Sequence, residues 1–170
     1  MYYIGVDLSL RSTGVTVIDD KNNIFYSGHY GISLKKNSTE QKKIWRLEMI
    51  TKFISNIVSK VYSNTDAKPY LIIERPAYAA KGYQNSLSEL HGAIKLQLAL
   101  KFRLYPVILT STHARKVTLG KGSYRGKNAK KEIMRDIFKK YGIDFKNNDQ
   151  ADAFVAAKAF QLDLQKIKEL

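Results

Sequence analysis

The stretch NNDQADAFVAA, residues 147–157, contains two aspartates three positions apart, and apolar residues follow them at once. This pattern predicts the start of a buried helix. Residues at positions i and i+3 lie on one helix face, so the carboxylates of Asp149 and Asp152 would point toward one spot. Capping and the helix dipole also favour an acid in a first turn, and that simpler explanation remains open for this pair taken alone.

Two further acids end short apolar runs earlier in the chain. Asp7 follows the run YIGV, residues 3–6, and Glu74 follows the run YLII, residues 70–73. Both runs are predicted to be buried strands, and an unpaired carboxylate in buried surroundings is costly. We therefore expect the four acids to meet around divalent metal.

Composition limits the classes of protein that the chain can form. Its 170 residues fit a single domain over residues 1–170, and 44% of them are hydrophobic, as in globular proteins. The net charge of +14 favours a polyanionic partner, with nucleic acid ahead of a membrane; a generally basic protein is the simpler alternative. The chain has no cysteine, which excludes disulfides, thiolate zinc sites and cysteine nucleophiles. With no visible signal peptide or membrane-length apolar run, we expect an intracellular protein.

Periodicity predicts alternating groups of strands and helices. Strands are expected over residues 2–8, 15–18, 24–33, 70–74 and 105–109. A capping box at Ser38 predicts a helix to about residue 63, with Ile44 in its apolar stripe and Trp45 packed beside it. The other predicted helices run from a second capping box at Ser86 to about Phe102, from about residue 133 to a cap at Gly142, and from Asp149 onward with Ile167 buried.

Two segments differ in character from the rest. The helix over residues 87–102 is apolar on more than one face, which indicates either deep burial or pairing with another chain. Residues 111–131 combine glycines with many cations and are predicted to be a loop that approaches phosphate closely; a flexible solvated loop is the alternative. The spacing from Gly120 to Lys127 does not fit the nucleotide-binding phosphate loop.

Clustered carboxylates in a cysteine-free chain select hard cations such as Mg²⁺ or Mn²⁺. Two such ions can stabilise both the attacking and the leaving oxygen of a phosphoryl displacement, so the expected reaction is phosphodiester hydrolysis. No Ser-His-Asp arrangement is recognisable, and the three histidines, His29, His91 and His113, are scattered.

The order β-β-β-α-β-α-β-α, with acids ending strands one and four and D-x-x-D opening the last helix, resembles the ribonuclease H-like fold. The details are similar to the RuvC-type Holliday junction resolvases. The matching pieces are IGVD (residues 4–7) with Ser9 and Gly14 following, IIE (residues 72–74) and DQADA (residues 149–153). They span almost the whole chain, and since each is short, their joint occurrence carries the specificity. The implied architecture is a five-stranded mixed sheet, three antiparallel strands then two parallel, flanked by helices.

The resemblance also implies a function. It indicates a homodimer, joined through helix 87–102, that binds a four-way DNA junction in the cytoplasm of a bacterial or infected host cell and nicks two opposing strands. The catalytic residues and ligands of two Mg²⁺ ions, which Mn²⁺ can replace, would be Asp7, Glu74, Asp149 and Asp152. Tyr78, or else Tyr83, would stack on unpaired bases, and Lys127 fits best as the lysine at the scissile region. The full set expected to contact DNA is Tyr78, Lys81, Arg115, Lys116, Lys121, Arg125, Lys127 and Lys130.

Departures from the family pattern leave alternatives open. Arg75-Pro76 after the glutamate and the glycine-rich basic segment differ from the bacterial resolvases, so sequence preference and association with a branch-migration helicase stay open. The Lys/Asn/Tyr-rich composition suits a phage or a low-GC bacterium. The rival functions are a looser branched-DNA or flap endonuclease or a ribonuclease H of the same fold. From other classes, a non-catalytic junction-binding protein and an actin-like ATPase domain compete.

Overall fold

The computed structural model describes residues 1–35, 37–76 and 84–169. A five-stranded sheet in the order β3-β2-β1-β4-β5 forms its centre. The first three strands pair antiparallel, whereas β4 lies parallel to β1, and β5 parallel to β4, so the predicted fold class is confirmed. The strands are β1 (Tyr2–Asp7), β2 (Thr13–Asp19), β3 (Ile24–Tyr30), β4 (Tyr70–Glu74) and β5 (Val107–Leu109).

Helices cover both faces of this sheet. They are α1 (Glu40–Tyr62), α2 (Gln84–Phe102), α3 (Ser111–Leu119), α4 (Ala129–Tyr141) and α5 (Asn148–Lys168). Successive strand residues point to opposite faces. Thus Ile4 and Val6 pack in the core with α1 and α2, whereas Tyr3 packs in a second core with α3, α4 and α5. In the described part of the chain, no helix is both long and apolar enough to cross a membrane.

Several predicted element ends are corrected by the structure. Helix α1 is capped by Thr39, whose side chain accepts a hydrogen bond from the Lys42 amide, so Ser38 is not the cap. Helix α2 begins at Gln84, two residues before the predicted cap at Ser86. Strands β3 and β5 are shorter than expected, and cover Ile24–Tyr30 and Val107–Leu109.

The largest difference lies in the basic segment, because its first nine residues form helix α3 and not a loop. Thr110 caps this helix by accepting a hydrogen bond from the His113 amide, and Gly120 ends it in the left-handed conformation at φ 80°. Only Ala114 and Thr118 of α3 are buried, and one alanine and one threonine leave almost no apolar periodicity for a sequence to reveal.

Three apolar side chains expected to pack are instead exposed. Ile44, Trp45 and Ile167 are 58%, 48% and 66% exposed. Helix α1 has 23 residues, which gives it a length of about 35 Å, whereas the seven residues of β2 span about 23 Å. The helix therefore extends beyond the sheet, and its first turns have no sheet to pack against.

Candidate active site

The two strand-end acids lie side by side. In the parallel pair of β1 and β4, Val6 is the partner of Ile73, so the next residues, Asp7 and Glu74, are neighbours at the carboxyl ends of both strands. The alternation along each strand directs both side chains toward the face that α5 covers, because Tyr3 and Ile72, an even number of residues earlier, pack there.

Helix α5 brings the second pair of acids to the same place. Its N-cap is Asn147, whose side chain accepts hydrogen bonds from the amides of Asp149 and Gln150 at 2.7 and 3.4 Å. Asn147, and not Asp149, is thus the capping residue, while Asp149 lies in the first turn, where the helix dipole also favours an acid. The carboxylate of Asp149 is instead directed at other residues of the site.

Two glycines allow α5 to lie directly on the sheet. A Cβ atom added to Gly5 would lie 1.9 Å from the carbonyl oxygen of Ala153, and one added to Gly14 would lie 2.1 Å from that of Asp149. Gly14 is also the pairing partner of Asp7 in the β1–β2 ladder. The Thr16 hydroxyl adds a hydrogen bond of 2.9 Å to the Gln150 carbonyl. The first turn of α5 is thereby held over the end of β1.

The electrostatic properties of the acids reflect this convergence. Burial raises the pKa of Asp7 well above its ordinary value, and the negative charges of Glu74, Asp152 and Asp149 raise it further. Burial likewise raises the pKa values of Glu74 and Asp152, and the charge of Asp152 adds to the effect on Glu74. Like charges raise one another's pKa only when they are close together, so the four acids form one cluster.

Hydroxyl groups and cations supply some of the hydrogen bonds and opposite charges that the four carboxylates need. Ser12 donates a hydrogen bond of 2.5 Å to Asp149, and Ser111 donates one to Glu74. A guanidinium nitrogen of Arg115 lies 3.1 Å from Asp152, and the Lys130 ammonium lies 3.7 Å from Asp149. Arg115 and Lys130 counter only part of the negative charge that four ionised carboxylates would carry.

The two serines were not identified as site residues from the sequence. Ser111 is the first residue of α3, and only the N-cap Thr110 separates it from the end of β5. A polar residue at the end of a strand was the signal that located Asp7 and Glu74. Ser111 was overlooked because residues 111–131 were predicted to be a loop. Ser12 lies in the short connection between β1 and β2, where a serine is ordinary.

The predicted DNA-binding cations fall into two groups. Arg115 turns inward onto Asp152, and its side chain is 21% exposed. The remaining predicted cations of this segment are exposed on α3, on the following loop and at the start of α4; they are Lys116, Lys121, Arg125, Lys127 and Lys130. Both Arg115 and Lys130 contact the acids, so the segment between them begins and ends at the site. Tyr78, Lys81 and Tyr83 lie outside the described residues.

The donor set fits a hard cation in its chemistry. Four carboxylates with neighbouring hydroxyls supply only oxygen ligands. Burial, which raises the pKa values of Asp7, Glu74 and Asp152, disfavours their charged forms, and a bound cation would offset that effect. Within the described residues, no three acidic or histidine side chains are already arranged around one point as ligands. Asp149, Asp152 and Glu74 each contact a serine or a cation instead.

Comparison with solved structures places this arrangement in a known fold. The chain superposes on Thermus thermophilus RuvC with a TM-score of 0.75 and 12% identity, over 98% of this chain and 96% of that one. T. thermophilus RuvC in complex with a Holliday junction substrate gives a TM-score of 0.73 at 12% identity and the same coverage. Fowlpox virus resolvase in complex with Holliday junction DNA gives 0.52 at 14% identity, over 96% and 99% of the chains. No family model and no curated protein matches the sequence.

These likenesses define the fold class. The chain has the ribonuclease H-like fold. Within that class, its five-stranded mixed sheet and the helices around it are arranged as in the RuvC-type resolvases.

Proposed function

We propose that this protein is a metal-dependent endonuclease that resolves four-way DNA junctions by nicking two opposing strands. The observation that carries the proposal is the convergence of Asp7 and Glu74, from two parallel strands, with Asp149 and Asp152, from one helix. Structural neighbours of the same fold are described in complex with Holliday junction DNA, which supports this substrate.

The four acids would hold the metal, which we expect to be two Mg²⁺ ions with Mn²⁺ able to substitute. Such ions, when bound, supply an activated water and stabilise the leaving oxygen. Asn147 and the two glycines under α5 keep the helix acids in position. Lys130 can release Asp149 and neutralise the phosphodiester, and the exposed cations from Lys116 to Lys127 would bind the DNA backbone.

Resolution of a junction needs two active sites, and α2 offers a surface for pairing. Leu96 and Leu100 are 61% and 71% exposed and lie four residues apart on one face of that helix. We propose that this face joins two copies into a homodimer. Tyr78 and Lys81, which directly precede α2 in the chain, would then contact the DNA near the crossover.

The test is a cleavage assay on a synthetic four-way junction with Mg²⁺, with nicks mapped on every strand. We expect paired nicks on opposing strands that a chelator abolishes. Asp149→Asn should abolish cleavage while leaving junction binding intact; Asp66→Asn, which changes an exposed acid before β4, is the matched control.

Assays on other substrates separate the proposed function from the nearest alternative functions. A fork, a flap and an RNA–DNA hybrid are assayed beside the junction under the same conditions. Faster cleavage of the hybrid or the flap would assign the site to a ribonuclease H or a flap endonuclease. Cleavage by Asp149→Asn at the wild-type rate would exclude the proposed site altogether.

A further inference from the structure

A groove of about 570 Å³ lies beside the first turns of α1. It is formed by the segment after β3 and by α1, and its lining includes Ile32, Leu34, Lys35, Thr39, Lys42 and Trp45. Its volume lies within the range of pockets that hold a small organic group. None of its described lining residues is acidic, and both lysines are exposed.

An exposed indole beside two lysines is an unusual surface. Trp45 is 48% exposed, although tryptophan contributes more by burial than almost any other side chain. The two acids near it in the sequence, Glu40 and Glu48, each pair with a lysine, at 3.0 Å from Lys43 and 2.6 Å from Lys52. Flat aromatic surface combined with unpaired positive charge is what binds single-stranded nucleic acid, because bases stack on the ring and phosphates meet the cations.

The segment that lines the groove follows β3, the edge strand of the sheet that pairs with β2. Strand β3 ends at Tyr30, the partner of Thr13, one residue before the partner of Asp7 on β2. The chain then packs against the β1–β2 connection, since a Cβ atom on Gly31 would lie 1.9 Å from the Arg11 carbonyl oxygen. Ser12, next to Arg11, donates to Asp149. The β1–β2 connection therefore contacts both Asp149 and Gly31, the residue before the segment that lines the groove.

We propose that the Trp45 groove binds a single-stranded segment of branched DNA, with a base stacked on the indole and its phosphates on Lys35 and Lys42. This inference rests on the proposed function, because it assigns the DNA a path from the same site. A second copy of the chain is a poorer occupant, since it carries a net charge of +14 and would bring like charge to the lysines.

The chain's single tryptophan makes the test direct. Indole emission of the wild-type protein is followed in chelator, which prevents cleavage, while DNA is added; anisotropy of labelled DNA reports binding independently. We expect a DNA fork with one single-stranded arm to quench the emission in parallel with binding, and a blunt duplex of equal length to leave it unchanged. Saturated binding of the fork with unchanged emission would overturn the proposal. A blue shift of the indole emission that grows with protein concentration in the absence of DNA would also overturn it, because a second copy of the chain would then occupy the groove.

Substitutions add a second measurement. Trp45→Ala should weaken binding of the single-stranded arm by ~5- to 150-fold, the range for loss of one stacked base, while Trp45→Phe retains most of it. Tyr105→Ala, which removes an aromatic side chain that is 66% exposed at the opposite edge of the sheet, should have no effect.

The lysines are tested through the salt dependence of binding. Lys42→Ala should lower the slope of log binding constant against log salt concentration by about 0.7, and Lys60→Ala, near the far end of α1, should not. Equal losses for Trp45→Ala and Tyr105→Ala would contradict the proposal.

The proposed function can fail independently of this inference. If the wild-type protein cleaves a fully paired junction with Mg²⁺ but its emission does not respond to the fork, only the groove assignment is wrong. If the emission responds but no junction is cut in the presence of Mg²⁺, the groove stands and the catalytic proposal fails.

Discussion

Among single residues, the buried carboxylates of the site lower the stability of the folded chain. Asp7, Glu74 and Asp152 all have raised pKa values, chiefly because burial removes water from their carboxylates. Whether such a group keeps its charge or takes up a proton at neutral pH, the folded chain carries a cost that the unfolded chain does not. Bound cations would relieve that cost, which is consistent with a metal site.

Removal of one of these acids should therefore stabilise the metal-free protein. We expect Asp7→Asn to raise the free energy of unfolding by ~0.5–2 kcal/mol at pH 7, in the range of other changes that relieve strain at a functional site. The same variant should lose the rise in melting temperature that Mg²⁺ gives the wild type. Urea unfolding and thermal melts, each with and without Mg²⁺, measure both effects. A variant less stable than the wild type in chelator would show that Asp7 is a structural acid.

The sign of the pH dependence follows from the same shift. A carboxyl whose pKa is raised on folding favours the folded state most when it is protonated, so its contribution is present below pH ~4 and is lost as pH rises through the raised pKa. The stability difference between Asp7→Asn and the wild type, both in chelator, should consequently grow as pH rises from 4 to 8. A difference that shrinks over this interval would contradict the raised pKa of Asp7.

At the scale of elements, the position of α5 depends on the absence of side chains beneath it. Gly5→Ala would place a methyl group against the Ala153 carbonyl, and we expect a loss of ~1–3 kcal/mol in unfolding free energy. Gly92→Ala is the matched control, because a Cβ atom there meets nothing within 4 Å and alanine is the better helix former. It should be neutral or stabilising in urea unfolding. If both substitutions had equal effects, close packing of α5 on the sheet would not be what holds Asp149 and Asp152 in position.

The sequence predicted the elements that carry the acids better than those that surround them. Strands β1 and β4 and the start of α5 join strong apolar runs to acids, and their ends lie within a residue or so of the predicted positions. Helix α3 was missed because a mixture of Thr, His, Arg and Lys carries almost no apolar period. The contact of Arg115 with Asp152 and the exposure of Trp45 depend on how the helices pack on the sheet. A sequence pattern does not contain that information.

At the scale of the whole molecule, cleavage of two opposing strands requires two copies in register. Replacing both Leu96 and Leu100 with glutamate should convert a dimer into monomers, because it places charge on the exposed apolar face of α2. Sedimentation velocity measures the change, and nick mapping should show single nicks in place of paired ones. Ile167→Glu alters an apolar side chain of similar exposure on α5 and should leave the assembly intact. Unchanged sedimentation of the double variant would place the dimer contact elsewhere.

Activity of this protein is expected to depend on four acids, from separate parts of the chain, that bind cations together. The most direct measurement is anomalous scattering from crystals soaked in Mn²⁺. We expect two peaks bounded by Asp7, Glu74, Asp149 and Asp152, with metal–oxygen distances slightly longer than the ~2.0–2.1 Å typical of Mg²⁺. Ordered carboxylates with no peak among them at saturating Mn²⁺, or a peak bound only by acids outside this cluster, would contradict it.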